Sequence, residues 1–229
     1  MLKKFYEKVK AFIKSEYKFI LFLIIFYVVC AWPVNYYVII GGGISDISER
    51  VVVEDGHDSD GSFNLSYVSE LKGTTVSYLL SYVMPHWKRV SMDDYKYTTD
   101  EDYDDIEFRS SLDLKYSNSN AIYYAYTLAG KSCELKKTDI YVIVNFPGYE
   151  NPLEVGDLLL AVDGKHFETL KEYQEYIQNF DKDSILVKVK RDDKEQEVSC
   201  KLYEEGGKKL LGVGLQADNT YVTSPEVDF

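Results

Sequence analysis

From the N-terminus, six lysines and two glutamates are interspersed among apolar residues over positions 1–18. The chain then runs from Phe19 to Ile40 (FILFLIIFYVVCAWPVNYYVII) with no charged residue, interrupted only by Pro33 and Asn35. As one helix this run would measure ~33 Å at ~1.5 Å per residue, enough to cross a ~30 Å hydrocarbon layer. Phe, Leu and Ile fall on every side of such a helix, which leaves no polar face for a soluble or interfacial amphipathic helix. The run is also too long for the apolar part of a signal peptide, and Cys30-Ala31-Trp32-Pro33 is not a small-x-small cleavage site. Trp32, Tyr36 and Tyr37 stand toward its far end, where an aromatic belt is expected. The pattern predicts a transmembrane anchor over 19–40.

Gly41-Gly42-Gly43 supplies a flexible exit. Ile47–Val53 reads as a short strand, Glu54–Ser62 as a turn and Ser62–Val68 as a second, alternating strand. The acidic turn does not fit a helix–loop–helix calcium site: counted from Asp58, the sixth place is Phe63 and the twelfth is Ser69, where Gly and Glu are required. Thr75–Val83 reads as a helix closed by Pro85, and Asn120–Ala129 as another, capped by Ser117 or Asn118 and stopped by Gly130. Between them, eight acids lie from Asp93 to Glu107. These suit a solvated, partly mobile helix or loop, or alternatively a patch for a divalent ion or a basic partner.

The last third is more explicit. Ile140–Asn145 is β-rich and FPGYENP is a turn-laden loop. Leu158–Val162 is an apolar strand closed by Asp163-Gly164, a tight-turn pair in which both residues accept positive φ. Thr169 and Glu172 are spaced as a capping box, and Tyr173, Tyr176, Ile177 and Phe180 recur at helical spacing. Ile185, Val187 and Val189 alternate on one arm of a hairpin, Val198, Cys200 and Leu202 on the other, and Leu210–Leu215 is a further short strand. The fold class is α+β: an N-terminal transmembrane helix, a small α+β region, and a mostly antiparallel β domain carrying one helix.

Charge gives the apolar run an orientation. The formal charge is −12, yet the first eighteen residues hold six lysines against two glutamates, which leaves −16 for the remainder. That asymmetry places the N-terminus in the cytoplasm and the chain from about residue 41 outside the cell membrane. An acidic remainder excludes nucleic acid as the main partner. Three cysteines do not make a disulfide framework; Cys133 and Cys200 are either paired or two buried thiols. Neither zinc-ligand spacing nor a phosphate-binding glycine loop is present, so no cofactor or metal is expected.

The segment DIYVIVNFPGYENPLEVGDLLLAVDGKHF, with the capped helix and the Lys-Arg-Asp hairpin after it, resembles a PDZ domain over 135–216. Tyr149-Glu150-Asn151 stands where that family carries small residues. The whole chain is similar to a narrower family, the membrane-anchored PDZ–Lon-like serine proteases of Gram-positive bacteria. The likeness rests on the basic N-terminus, the apolar run, Tyr36-Tyr37-Val38, SFNLSYV, VSYLLSYV, and Ser117 to Ala121. It implies a basic cytoplasmic segment (1–18), the anchor (19–40), an extracytoplasmic α+β region (41–134), the PDZ-like domain (135–216) and a tail (217–229) leading to where the family's Lon-type domain would begin.

Those proteases carry their serine in Gly-Pro-Ser-Ala-Gly with a lysine farther on, and neither that motif nor an equivalent of it occurs here; Ser224-Pro225 is not one. His57, His86 and His166 read as surface residues, and Cys133 and Cys200 have no evident activating base. The chain alone is therefore expected not to cleave peptides. The PDZ resemblance implies binding of an extended or C-terminal peptide as an added strand. The edge strand would be Ile140, Tyr141, Val142, Ile143 and Val144, with a carboxylate-holding turn around Leu135–Asp139 and the opposite wall on Leu170–Ile177. Tyr173 and Ile177 are the groove candidates and serve equally well as core residues. The expected product is a membrane-tethered recognition module of a Lon-like protease. Alternatives are an inactive remnant of one, or a scaffold or regulatory partner that docks on an intact protease.

Overall fold

The computed structural model describes residues 2–47, 50–54, 56 and 61–228. In chain order its elements begin with α1 (Leu2–Ala31), β1 (Pro33–Asp46), β2 (Val52–Val53), β3 (Asn64–Thr74), α2 (Thr75–Leu80), β4 (Lys88–Ser91) and a 3-10 turn, Met92–Asp94. Then come α3 (Tyr103–Leu128), β5 (Ser132–Asn145), β6 (Leu158–Val162), α4 (Leu170–Gln178), β7 (Ser184–Arg191) and β8 (Lys194–Lys201). The chain ends in β9 (Tyr203–Glu205), β10 (Lys208–Leu210), β11 (Val213–Ser224) and β12 (Val227–Asp228). The class is α+β with antiparallel sheets. Two compact units form, Met1–Asp46 with Asn64–Asp94, and Ile47–Phe63 with Tyr95–Phe229.

In the first unit the uncharged run changes conformation midway. Helix α1 stops at Ala31, because proline has no N–H to donate and pushes the residue before it out of the α region. Beyond Pro33 the β-branched and aromatic residues Val34, Tyr36, Tyr37, Val38, Ile39 and Ile40 enter β1, where such side chains fit a pleated surface. The uncharged stretch of α1 is thus only Phe19–Ala31, ~20 Å at ~1.5 Å per residue against a ~30 Å layer. This corrects the anchor expected over 19–40: among the described residues no helix is long and apolar enough to cross a membrane. Strand β1 forms the centre of a three-stranded sheet, β3-β1-β4, and its consecutive residues Tyr37 and Val38 are both buried, one on each face. Helix α2 starts at a reciprocal cap: Ser77 N–H donates to the Thr74 hydroxyl (3.3 Å) and Thr74 N–H to the Ser77 hydroxyl (2.8 Å).

In the second unit a five-stranded sheet runs in the order β11-β5-β6-β7-β8. Alternation along β5 sends Ile140, Val142 and Val144 to one face. Ile140 and Val142 join Leu153, Val162, Tyr173, Ile177, Ile185, Val187, Val189 and Cys200 in one core under α4. The opposite face packs on α3, through Phe108 against Tyr141 (5.7 Å between ring centres) and Tyr123 against Tyr221 (5.5 Å). The acidic stretch before α3 is built in rather than loose. Asp102 caps the helix, accepting from Asp104 and Asp105 N–H (2.8 and 3.0 Å), where carboxylates also favour the helix dipole. Glu101 is buried in a forked pair with Arg109 (2.5 and 3.2 Å) and accepts Tyr97 N–H at 2.7 Å. Helix α3 runs through the cap expected at Ser117 or Asn118. Most of the turn expected over Glu54–Ser62, His57 and Asp58 included, lies outside the described residues.

Arg191 fastens the end of β7 to the Val155-Gly156-Asp157 turn. Its Nε and Nη2 donate to the Asp157 carboxylate at 2.7 and 2.6 Å, Nη2 also to the Pro152 carbonyl at 2.9 Å, and Nη1 to Glu154. Asp157 is only 1% exposed. Removing the guanidinium alone strands a buried carboxylate, an error that costs ~3–5 kcal/mol, whereas removing both charges restores much of the loss. The Arg191→Met variant should therefore melt well below the parent, and Arg191→Met with Asp157→Leu should recover much of the difference, as followed by circular dichroism.

Candidate peptide-binding groove

The PDZ resemblance implies that Ile140–Val144 is the edge strand, and the sheet corrects this. Ile140 is paired with Ala217 of β11 on one side and Leu159 of β6 on the other; Tyr141 lies between Gln216 and Leu158. Val142 N–H donates to the Asp157 carbonyl (3.0 Å), and Val144 pairs with Gly214. Ile143 lies on the α3 face. A ligand strand cannot add at Ile140–Val144, because β11 has taken that place. Leu135–Asp139 is not a turn either: it continues β5, paired with β11 from Asp218 to Tyr221, and Lys137 binds Asp139 at 2.8 Å.

The sheet has two outer strands, β11 and β8. Strand β8 presents a heavily charged margin, its Glu195 paired with Lys188 at 2.6 Å, a common protection of an open edge. Strand β11 pairs only with β5 among the described residues, and α4 lies beside it. Between them is a cleft of about 280 Å³. Helix α4 contributes Tyr173, Gln174, Ile177 and Gln178; β10 and the residue after it give Lys209, Leu210 and Leu211; β11 gives Val213, Gly214 and Leu215. Leu211 is buried, Val213 and Leu215 are half-buried, and the two glutamines stand at the lip. Lys209 is fixed at one end, its Nζ donating to the Lys182 carbonyl (2.7 Å) and to Asp183 (3.2 Å).

Two glycines make this geometry. Gly212 has φ +74°, and a Cβ there would lie 2.3 Å from Cβ of Tyr149. A Cβ on Gly214 would meet Val144 Cγ1 at 2.5 Å, and the pairing of β11 with β5 shifts register between Gly214 and Leu215. Tyr149, which replaces a small residue of the resembled family, is therefore matched to Gly212. Its loop is secured by Tyr149 against Tyr203 (4.9 Å between ring centres), Glu150 N–H to the Tyr203 hydroxyl (2.7 Å) and the Asn151 amide to the Leu211 carbonyl (2.5 Å).

Tyr173 and Ile177 fill both roles left open by the sequence: each belongs to the core and each lines the cleft. Thr169 caps α4 through Glu172 N–H (3.2 Å), while Glu172 reaches back to Glu168 N–H (3.1 Å), one residue short of the reciprocal box. The Tyr173 hydroxyl has no hydrogen-bond partner among the described residues, and burial drives its pKa well above the usual phenol range. Cys200 is a free, buried thiol pushed up to about 12 by burial, so it is neutral at physiological pH; Cys133 is free as well. His166 lies on the neighbouring surface, its Nδ1 3.0 Å from the Leu160 carbonyl. Sequence reasoning missed Lys209, Leu211 and Gly212 to Leu215. The signal available was Gly-Val-Gly, whose spaced glycines mark a turn and a close strand approach rather than a plain strand.

A family model described as a PDZ domain matches residues 142–191. The chain contains a PDZ domain. It is also similar to the PDZ domain of an SdrC-like protein from Listeria monocytogenes, at 26% identity over 33% of this chain and 85% of that one, with a TM-score of 0.31. The corresponding domain from Listeria innocua gives 27% identity, 34% and 92% coverage and a TM-score of 0.32. No curated protein matches the chain. The matched residues of the PDZ domain include α4 but end before β11, so one wall of the cleft lies inside the match and the other outside it. Because Gly212 is both left-handed and crowded, Gly212→Ala should lower stability by ~1–3 kcal/mol and blur the amide signals of Leu211–Leu215 in a heteronuclear spectrum, leaving those of β7 and β8 in place.

Proposed function

We propose that this chain is a membrane-held peptide receptor, whose PDZ domain takes an extended peptide as a sixth strand on the outer margin of β11. The observation that carries this is the cleft between α4 and that margin. Backbone pairing along β11 supplies affinity, and the apolar floor of Ile177, Leu211 and Leu215 selects an apolar side chain, in a peptide whose free end faces Lys209. The membrane aspect of the reading is supported by α1, where Phe19, Leu21, Phe22, Leu23, Ile24, Ile25, Phe26, Val28 and Val29 are all exposed. A helix apolar on every side is at home in lipid or a large core. The similarity to membrane-anchored Lon-like proteases supports a proteolytic setting, in which the receptor selects an exported or membrane protein for a separate cutting domain. Binding without hydrolysis is the activity proposed for this chain alone.

The test is a display library of peptides with free C-termini against the purified chain, followed by calorimetry on the selected sequences. Saturable micromolar binding is expected. Gln178→Trp, which fills the lip of the cleft without entering the core, should weaken binding ~10-fold or more with an unchanged circular dichroism spectrum. Failure of every peptide to saturate, or equal binding by the variant, would overturn the groove. Turnover of a fluorogenic peptide by the purified chain would overturn binding without hydrolysis.

A further inference from the structure

Helix α2 and the turn after it are divided into two faces. Ser77, Tyr78 and Ser81 face the sheet of their own unit: the Ser81 hydroxyl donates to the Tyr78 carbonyl (2.5 Å) and accepts from Arg89 Nη1 (3.1 Å), and the Tyr78 ring lies 5.0 Å from that of Tyr36. Val76, Leu79, Leu80, Val83 and Met84 occupy the other face and are exposed, Leu79 at 60% and Val83 at 75%. The turns continue past Leu80, with Val83 and Met84 N–H both donating to its carbonyl (3.0 and 2.9 Å), so these side chains form one apolar strip.

The strip is attached to the end of α1. Thr75 N–H and its hydroxyl both donate to the Trp32 carbonyl, at 2.9 and 3.2 Å, and the Trp32 side chain is itself exposed. At the border between the strip and the sheet lie Tyr36, Tyr78 and Tyr82, with the Arg89 guanidinium 3.7 Å over the Tyr82 ring. Aromatic rings and a cation bordering an apolar surface are the composition of a membrane–water boundary. A protein groove would cover one side of α1, whereas its Phe19–Ala31 part is apolar all round, and the strip is joined to the end of that helix through Thr75 and Trp32.

We infer that Val76–Met84 is a second lipid-contacting element, lying in the plane of the bilayer interface beside the Trp32 end of α1. The inference rests on the membrane seating of α1 proposed above. Two elements then share the attachment, a short apolar rod and a flat apolar strip. The strip compensates for a rod shorter than the hydrocarbon layer and fixes the first unit against the surface.

The experiment places an environment-sensitive nitrobenzoxadiazole probe on Val83→Cys in the full chain with Cys30→Ala and Cys133→Ala, reconstituted into phosphatidylcholine–phosphatidylglycerol vesicles. A second preparation carries the probe on Leu23→Cys. Spin labels near the lipid headgroups should quench the Val83 probe about twofold, as expected for interfacial depth, while labels deep in the acyl chains quench the Leu23 probe. Quenching at Leu23 but not at Val83 overturns the inference and leaves the seating of α1 intact. Quenching at neither site overturns both. Self-quenching at Val83 that grows with protein-to-lipid ratio, with no response to spin-labelled lipid, assigns the strip to a second copy of the chain and also overturns it.

Discussion

The proposed groove depends on a row of backbone groups along β11 that, among the described residues, no neighbouring strand takes up. Amides and carbonyls must find partners, and a sheet margin left open beside a helix is a ready template for another strand. Strand β11 can hold this outer place because β5 behind it is satisfied on its β11 side along nearly its whole length, from Ser132 to Asn145. The cleft is therefore a consequence of sheet order: the last long strand closes over β5, and the proposed recognition surface lies one strand farther out.

The approach of β11 is held in place by residues far apart along the chain. Gly212 and Gly214 allow the close passage, Tyr149 fills the space that a side chain on Gly212 would need, and Asn151 holds the Leu211 carbonyl. The same loop leads into Glu154 and Asp157, which Arg191 clamps from the end of β7. A buried charge is thus used where the turn before β6 must stay fixed, while the cleft itself is mostly apolar. Rigid walls matter for this kind of recognition, since a preformed site loses less freedom when the peptide is ordered on it.

Much of the PDZ domain is legible in the sequence. Leu158–Val162, Asp163-Gly164, the Thr169 cap and the alternating β7–β8 hairpin each combine a local signal with a matching pattern, and each is found where expected. The edge is not legible in this way, because alternation tells which face a residue takes, not which strand lies beside it; that is decided by β11, more than seventy residues after β5 begins. The apolar run misleads for a related reason. Hydropathy does not distinguish helix from strand, and Pro33 has more influence on the conformation than the unbroken apolarity around it. Around Glu101 and Arg109, eight acids conceal a buried pair, since composition shows charge without showing its partner.

The most direct measurement is amide hydrogen exchange of the PDZ domain within the full chain, with and without a peptide selected by the display library. The account expects slowed exchange at alternate amides of β11 from Val213 onward, together with protection along the Tyr173–Gln178 side of α4. Protection confined to β8, or spread over the chain with β11 unchanged, would contradict it.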